Sequence, residues 1–109
     1  MTFIRRHKFN AVRTISSDGK AFPSKAEARR YEMLKLLVAN GEITDLSLQP
    51  SFSLDVNGIH ICKYRADFQY YDKDDNWIVE DVKGLMTDVF KIKARLMKAC
   101  HNIDVQVVR

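Results

Sequence analysis

The stretch Asp72-Lys73-Asp74-Asp75-Asn76 divides two runs of strand-forming residues, Ile59 to Tyr71 and Trp77 to Lys83. No other feature restricts the folding of this chain as much. Polar turn formers between two such runs predict an antiparallel hairpin. A turn symmetric about Asp74 sets Asp67 opposite Asp81. Two carboxylates facing each other in a sheet destabilise it by up to roughly 1 kcal/mol, so a cation between them is expected. A divalent metal is the natural candidate.

The segment Ser24 to Asn40 carries its own punctuation. Ser24 and Glu27 make an S-x-x-E capping box, and Asn40-Gly41 supplies the stop. Tyr31, Leu34, Leu37 and Val38 recur at helical spacing and predict the buried stripe, on which Glu27 also lies. Farther on, Pro50 precedes a strand at Phe52 to Val56, and Asn57-Gly58 is a strong hairpin signal. The strands Ser51 to Val56, Ile59 to Tyr71 and Trp77 to Lys83 are expected to form a three-stranded meander. Gly84 ends the last of them. Thr87 can cap a second helix running to about Cys100, with Val89, Ile92, Leu96 and Ala99 as its apolar face, and Ile103 to Val108 reads as a final strand. The expected class is α/β in the α+β sense, with helices flanking a central mixed sheet. Residues 1–22 read as a basic arm with a possible short strand near Ala11 to Ile15, and 23–109 as a single domain.

A chain of 109 residues with 46% hydrophobic content can bury a real core in one domain. No apolar run approaches the roughly 18 residues a membrane span needs, and Met1 to Arg6 lacks the apolar stretch of a signal peptide. An intracellular protein is expected, with Cys62 and Cys100 as reduced thiols. The net charge of +4 is modest, so its placement matters more than its size. Arg5, Arg6, Lys8 and Arg13 share one segment free of acids, and Lys91, Lys93, Arg95 and Lys98 share another. Together they favour a polyanionic partner over two solvated surfaces. Lys91, Arg95 and Lys98 fall on one face of the second helix, and Lys25 and Thr87 complete the candidate DNA contacts with Arg5, Arg6 and Lys8.

Asp81 and Lys83 are two apart on one strand, so both project from the same face. Asp67 joins them from the neighbouring strand and Glu27 from the first helix. Hard oxygen ligands at that density suit Mg²⁺ or Mn²⁺, and an ammonium beside them can stabilise charge on a phosphorus centre under attack. Glu80 points to the opposite face on strand parity and is expected to be a structural partner. A β-bulge would reverse that assignment.

At these residues the chain resembles the PD-(D/E)XK nuclease superfamily, whose strand-borne D…(D/E)-x-K corresponds to Asp67 and Asp81-Val82-Lys83, with Ala66 where the proline of the name would stand. It is also similar to small phage-encoded proteins regarded as endonuclease-like or Holliday-junction-resolvase-like. The blocks that carry this likeness are Ser24-Lys25-Ala26-Glu27-Ala28-Arg29-Arg30-Tyr31, Leu46-Ser47-Leu48-Gln49-Pro50 and Val79 to Gly84. The resemblance implies a restriction-endonuclease-like αβββαβ core and Mg²⁺- or Mn²⁺-dependent hydrolysis of DNA phosphodiesters. It also implies Glu27, Asp67, Asp81 and the Val82 carbonyl as metal ligands, with Lys83 as the catalytic amine and Gln49 at the rim. Branched DNA as substrate, a homodimer and the cytoplasm of a bacterial host follow from the same likeness. A non-catalytic nucleic-acid-binding module, or a nuclease subunit of a mobile-element or mismatch-processing complex, are the alternative expectations.

Other patterns carry less. Asp72 to Asn76 begins like a calcium loop, but Trp77 stands where a glycine is needed and Lys83 where a bidentate glutamate belongs, so a polar turn is expected. His60, Cys62, Cys100 and His101 lack the usual ligand spacing for zinc. Tyr64, Phe68, Tyr70, Tyr71 and Trp77 are expected to be mainly core.

Overall fold

The computed structural model describes residues 13–109. Arg5, Arg6, His7 and Lys8 lie outside the described residues. The chain runs through β1 (Thr14–Ile15), β2 (Ala21–Phe22), α1 (Lys25–Ala39), β3 (Thr44–Leu48), β4 (Ser51–Val56), β5 (Ile59–Arg65), β6 (Phe68–Tyr71), β7 (Trp77–Val82), α2 (Asp88–His101) and β8 (Gln106–Val108). The central sheet has the order β3-β6-β7-β8, with β7 and β8 parallel and the other neighbours antiparallel. This is the mixed α+β class that the sequence predicts. With the β1–β2 and β4–β5 hairpins set aside, the succession of elements is αβββαβ.

Local chemistry sets the ends of both helices. The Ser24 hydroxyl accepts from the Glu27 N–H at 3.1 Å, and the Thr87 hydroxyl accepts from the Phe90 N–H at 3.1 Å. At the far end of α1, Gly41 takes the left-handed region (φ 74°). Its N–H donates to the Val38 carbonyl, and that of Glu42 donates to the Leu37 carbonyl, the paired closure that satisfies the last carbonyls of a helix. Asn102 does similar work for α2 at φ 57°.

Three expectations about packing are corrected. First, β4 is not a strand of the central sheet: among the described residues it pairs with β5 alone, in a separate hairpin, and β3 takes its place beside β6. Asn57 and Gly58 (φ 53° and 81°) form the tight turn that closes this hairpin. The run Ile59 to Tyr71 is then broken at Ala66-Asp67, where Ala66 N–H donates to the Pro50 carbonyl and Gln49 N–H donates to that of Asp67. Backbone bonds to the β3–β4 connection thus divert the chain from one sheet to the other.

Second, α2 buries Phe90 and Met97, with Ala94, Leu96 and Cys100 partly covered, whereas Val89 and Ile92 are 62% and 59% exposed. Two apolar stripes compete on this helix, and the aromatic one wins because it meets Tyr64 across a 6.2 Å ring contact. Third, Val38 lies in the last turn of α1 and is 41% exposed, so the buried stripe is Glu27, Ala28, Tyr31 and Leu34, with Leu37 partly covered.

The core is divided by the sheet. Phe68 and Tyr70 meet Phe22, Ala28, Tyr31, Leu34 and Ile43 on the α1 side. Val79 joins Phe52, Leu54, Tyr64, Ala66, Phe90, Met97 and Ile103 on the α2 side. Residues 13–22 of the expected arm pair as the β1–β2 hairpin. Phe22 enters the core, and Asp18 accepts a hydrogen bond from the buried Tyr31 hydroxyl at 2.5 Å. Among the described residues no helix is long and apolar enough to cross a membrane.

Candidate active site

Pairing in the β6–β7 hairpin is symmetric about Asp74: Tyr71 meets Trp77, Tyr70 meets Ile78, and Phe68 meets Glu80. The turn is held by the Asp72 carboxylate, which accepts from the N–H groups of Asp74 and Asn76 at 2.9 Å each. These bonds keep its pKa below the usual carboxylate range. It is a polar turn, as the sequence predicts. One step before Phe68, outside the paired residues of β6, the Asp67 N–H donates to the Glu80 carbonyl at 3.1 Å, and its side chain meets that of Asp81.

Alternation along β7 sends Val79 and Asp81 to one face and Glu80 to the other. Glu80 is 2% exposed and receives both arms of Arg30, from Nε at 2.8 Å and Nη2 at 2.6 Å. The Tyr70 hydroxyl donates to the same carboxylate. Its charge is therefore answered within the fold, in the planar two-point geometry that guanidinium groups favour.

Asp81 has a different environment. It is 3% exposed, its Oδ2 accepts the Tyr64 hydroxyl at 2.5 Å, and the Lys83 ammonium lies 3.8 Å from the same oxygen. Burial and the adjacent carboxylate push the Tyr64 pKa up, so the phenol stays a donor. Lys83 is further steadied by the Phe90 ring, 4.8 Å below its Nζ.

Asp67 accepts the Val82 N–H on Oδ2 at 2.7 Å. Even so its pKa is pushed up to about 8, first by burial and then by its hydrogen-bonding contact with Asp81, with the charges of Asp81 and Glu27 adding to the effect. Glu27 is 6% exposed. Burial, and next the charge of Asp81, raise its pKa, while Asp67, Lys83 and Arg65 oppose the shift. Glu27, Asp67, Asp81 and Lys83 thus act on one another electrostatically, and the contribution of Glu27 to the capping box is its backbone N–H.

Among the described residues no three His, Cys, Asp or Glu side chains already form a group that could hold a metal ion. The chemistry of the donors nevertheless fits a hard divalent cation. Three carboxyl groups have lost most of their water, and the hydrogen bonds given above to Asp67 and Asp81 engage only Oδ2 of each. The raised pKa of Asp67 reflects burial and the repulsion among them, and a cation would relieve that repulsion while leaving all three ionised.

Beside Lys83 opens a groove of about 480 Å³, lined by Ser51, Lys63, Tyr64, Arg65, Lys83, Thr87, Val89, Phe90 and Lys93. Among the described residues Thr87 is the one expected DNA contact on its wall. Lys25, Lys91 and Arg95 are exposed elsewhere, and Lys98 is paired with Asp104 at 3.0 Å. Gln49 is exposed and sits in the left-handed region at φ 53°, one backbone hydrogen bond from Asp67. The reading of the sequence missed Tyr64, Lys63 and Arg65 as site residues. Strand parity puts Lys63 and Arg65 on one side of β5, opposite the buried Tyr64.

Other groupings carry no chemistry. Ser53 Oγ and Asp55 Oδ1 both approach Nδ1 of His60, at 3.0 and 2.7 Å. A serine-based triad needs the hydroxyl on the other ring nitrogen. Cys100 donates to the Asp55 carbonyl, and a ring nitrogen of His101 is 2.8 Å from that of Ser53, so both tie α2 to β4. Of the aromatic residues near the turn, Tyr64, Phe68 and Tyr70 are buried, while Tyr71 and Trp77 are 37% and 43% exposed.

A family model described as "Protein of unknown function (DUF1064)" matches residues 6–108 of the chain. No curated protein and no solved structure gives a match.

Proposed function

The chain belongs to the DUF1064 family, and we propose that it is a metal-dependent endonuclease hydrolysing DNA phosphodiesters, a member of the PD-(D/E)XK group. One observation carries the reading: Asp67, in the bend just ahead of β6, meets Asp81 of β7, with Glu27 acting on both and Lys83 3.8 Å from Asp81. A fold gains nothing from holding buried like charges together unless something else uses them.

Glu27, Asp67 and Asp81, with the Val82 carbonyl, would hold Mg²⁺ or Mn²⁺. Such an ion supplies Lewis acidity toward a phosphoryl oxygen and lowers the pKa of water. The protein's own groups do the rest. Tyr64 fixes the rotamer of Asp81 through its hydroxyl. The Val82 N–H fixes Asp67. Lys83, 31% exposed along its side chain and opening on the groove, stabilises negative charge on the phosphorus oxygens as the water oxygen bonds and the bond to O3′ breaks. Products with a 5′-phosphate and a 3′-hydroxyl are expected. The proposed substrate is branched DNA, a four-way junction or a flap, and the proposed assembly a homodimer whose two sites address two strands. Sedimentation in the presence and absence of a junction tests the assembly.

The test of activity is a gel assay of junction, flap, single-stranded and linear duplex DNA with and without Mg²⁺ or Mn²⁺. Asp81→Asn and Lys83→Ala should abolish cleavage while leaving the fold and much of the binding intact. Cleavage by either variant at the parental rate would refute the site assignment.

A second reading, a non-catalytic nucleic-acid-binding module, is favoured by the raised pKa of Asp67: a carboxyl pair sharing a proton can persist without metal. Thermal shift separates the two. Stabilisation by Mg²⁺ that is lost in Asp67→Asn supports the enzyme, and indifference of the parent to metal supports the module.

A further inference from the structure

We infer that the groove between the β4–β5 hairpin and the first turns of α2 seats the DNA sugar-phosphate backbone through Lys63, Arg65 and Lys93, and that this seat outweighs the outer row of Lys91, Arg95 and Lys98. The inference rests on the reading of the chain as a DNA-binding protein and not on catalysis.

Charge is the first argument. Among the described residues the groove lining includes Lys63, Arg65, Lys83 and Lys93 and no acidic residue. Cations elsewhere in the described residues are often neutralised, Arg30 by Glu80, Lys35 by Glu32 and Lys98 by Asp104. Among the described residues none of Lys63, Arg65 and Lys93 is in an ion pair. Four positive groups around a concave wall focus their field far more than the same number strung along a convex helix face.

Geometry is the second. Lys63 and Arg65 pair with Ser53 and Ser51 across the hairpin, so short side chains flank the two long cations. Arg65 also acts on Glu27 and Lys83 is 3.8 Å from Asp81, so the groove leads to the carboxylates. A strand lying in it would deliver a phosphodiester to Lys83.

The floor decides what part of DNA is gripped. Tyr64 and Phe90 are only 4% and 5% exposed, so neither offers a free ring face on which a base could stack. The Thr87 hydroxyl oxygen is engaged by the Phe90 N–H. What remains accessible is Ser51, Val89 and the cations, and cations bind phosphates without reading sequence. The seat is therefore backbone-directed and strongly salt-dependent.

The experiment is fluorescence anisotropy of a labelled four-way junction and a labelled linear duplex, in EDTA, over a series of KCl concentrations. It compares the parent with Lys63→Gln/Arg65→Gln/Lys93→Gln and with Lys91→Gln/Arg95→Gln/Lys98→Gln. Each lost phosphate contact lowers the slope of log K against log salt by about 0.9. The groove variant should lose between about two and three units of slope, and the helix-row variant less than half as much. Equal losses, or a larger loss in the helix row, would overturn the inference. Absence of salt-dependent binding by the parent would overturn it too. Binding that weakens as expected in a protein that never cleaves with metal would leave this inference standing and refute the nuclease reading. Unchanged binding by a groove variant that still cleaves would do the reverse.

Discussion

The Tyr64 hydroxyl and the Lys83 ammonium converge on one oxygen of Asp81, at 2.5 and 3.8 Å. One partner comes from the β4–β5 hairpin and the other from the residue that follows β7. The orientation of the buried aspartate is thereby coupled to the docking of the hairpin on α2.

Replacing Tyr64 by phenylalanine keeps the ring among Phe52 and Phe90 and deletes only the hydrogen bond. Groups that orient a ligand from behind are typically worth about 10–100-fold in metal affinity or activity. Tyr64→Phe should shift the Mg²⁺ dependence of cleavage to higher concentration by such a factor. An unchanged metal titration would show that Asp81 needs no help from the phenol.

The raised pKa of Asp67 predicts a pH dependence of the metal-free protein. Its folded value of about 8 lies above the roughly 3.9 of an unfolded aspartate, so the folded state holds the proton more tightly. That contribution to stability is complete below about pH 4 and is lost as the pH rises toward 8. In EDTA, the melting temperature of the parent should fall from pH 5 to pH 8 more steeply than that of Asp67→Asn. Mg²⁺ at pH 8 should restore the parent and not the variant. Parallel melting curves for the two proteins would contradict both parts.

Arg30 and Glu80 form the other buried ionic contact of β7, and removing one partner from such a pair typically costs about 3–5 kcal/mol. Arg30→Ala should lower the denaturation midpoint by a corresponding amount. Cleavage at low temperature should persist, since Glu80 faces away from the carboxylate site. Loss of cleavage without loss of stability would place Arg30 in the chemistry instead.

Gln49 occupies the left-handed region at φ 53°, which costs a side-chain-bearing residue roughly 1–2 kcal/mol. Gln49→Gly relieves that cost, offset in part by the freer unfolded chain, so stability should stay level or rise slightly. A fall in cleavage would then report on the amide side chain alone. Equal activity would assign Gln49 only the backbone bond that holds Asp67.

How much of this was legible in the sequence depended on how local the determinants are. Helix α1 was readable to within a residue because Ser24 and Gly41 terminate it through bonds to near neighbours. The pairing of Phe68 with Glu80, which brings Asp67 and Asp81 near one another, was readable because the turn at Asp72 to Asn76 fixes register by itself. The identity of the third strand was not, since nothing in Arg65-Ala66-Asp67 marks a break: the diversion is made by backbone bonds to Gln49 and Pro50, which are distant in sequence. The buried face of α2 was equally hidden. Phe90 with Met97 and Val89 with Ile92 both satisfy helical spacing, and only contact with the hairpin selects between them. The groove cations were missed for the same reason, because Lys63 and Lys93 belong to different elements that meet only in the fold.

Glu80 and Asp81 are consecutive residues of one strand, both almost fully hidden from water, yet they live under opposite electrostatic regimes. The former was given a permanent counterion by the chain; the latter was left in debt beside another acid. A single peptide unit thus joins a position that answers to folding with one that answers to the solution outside. An experimenter can use either neighbour as the control for the other.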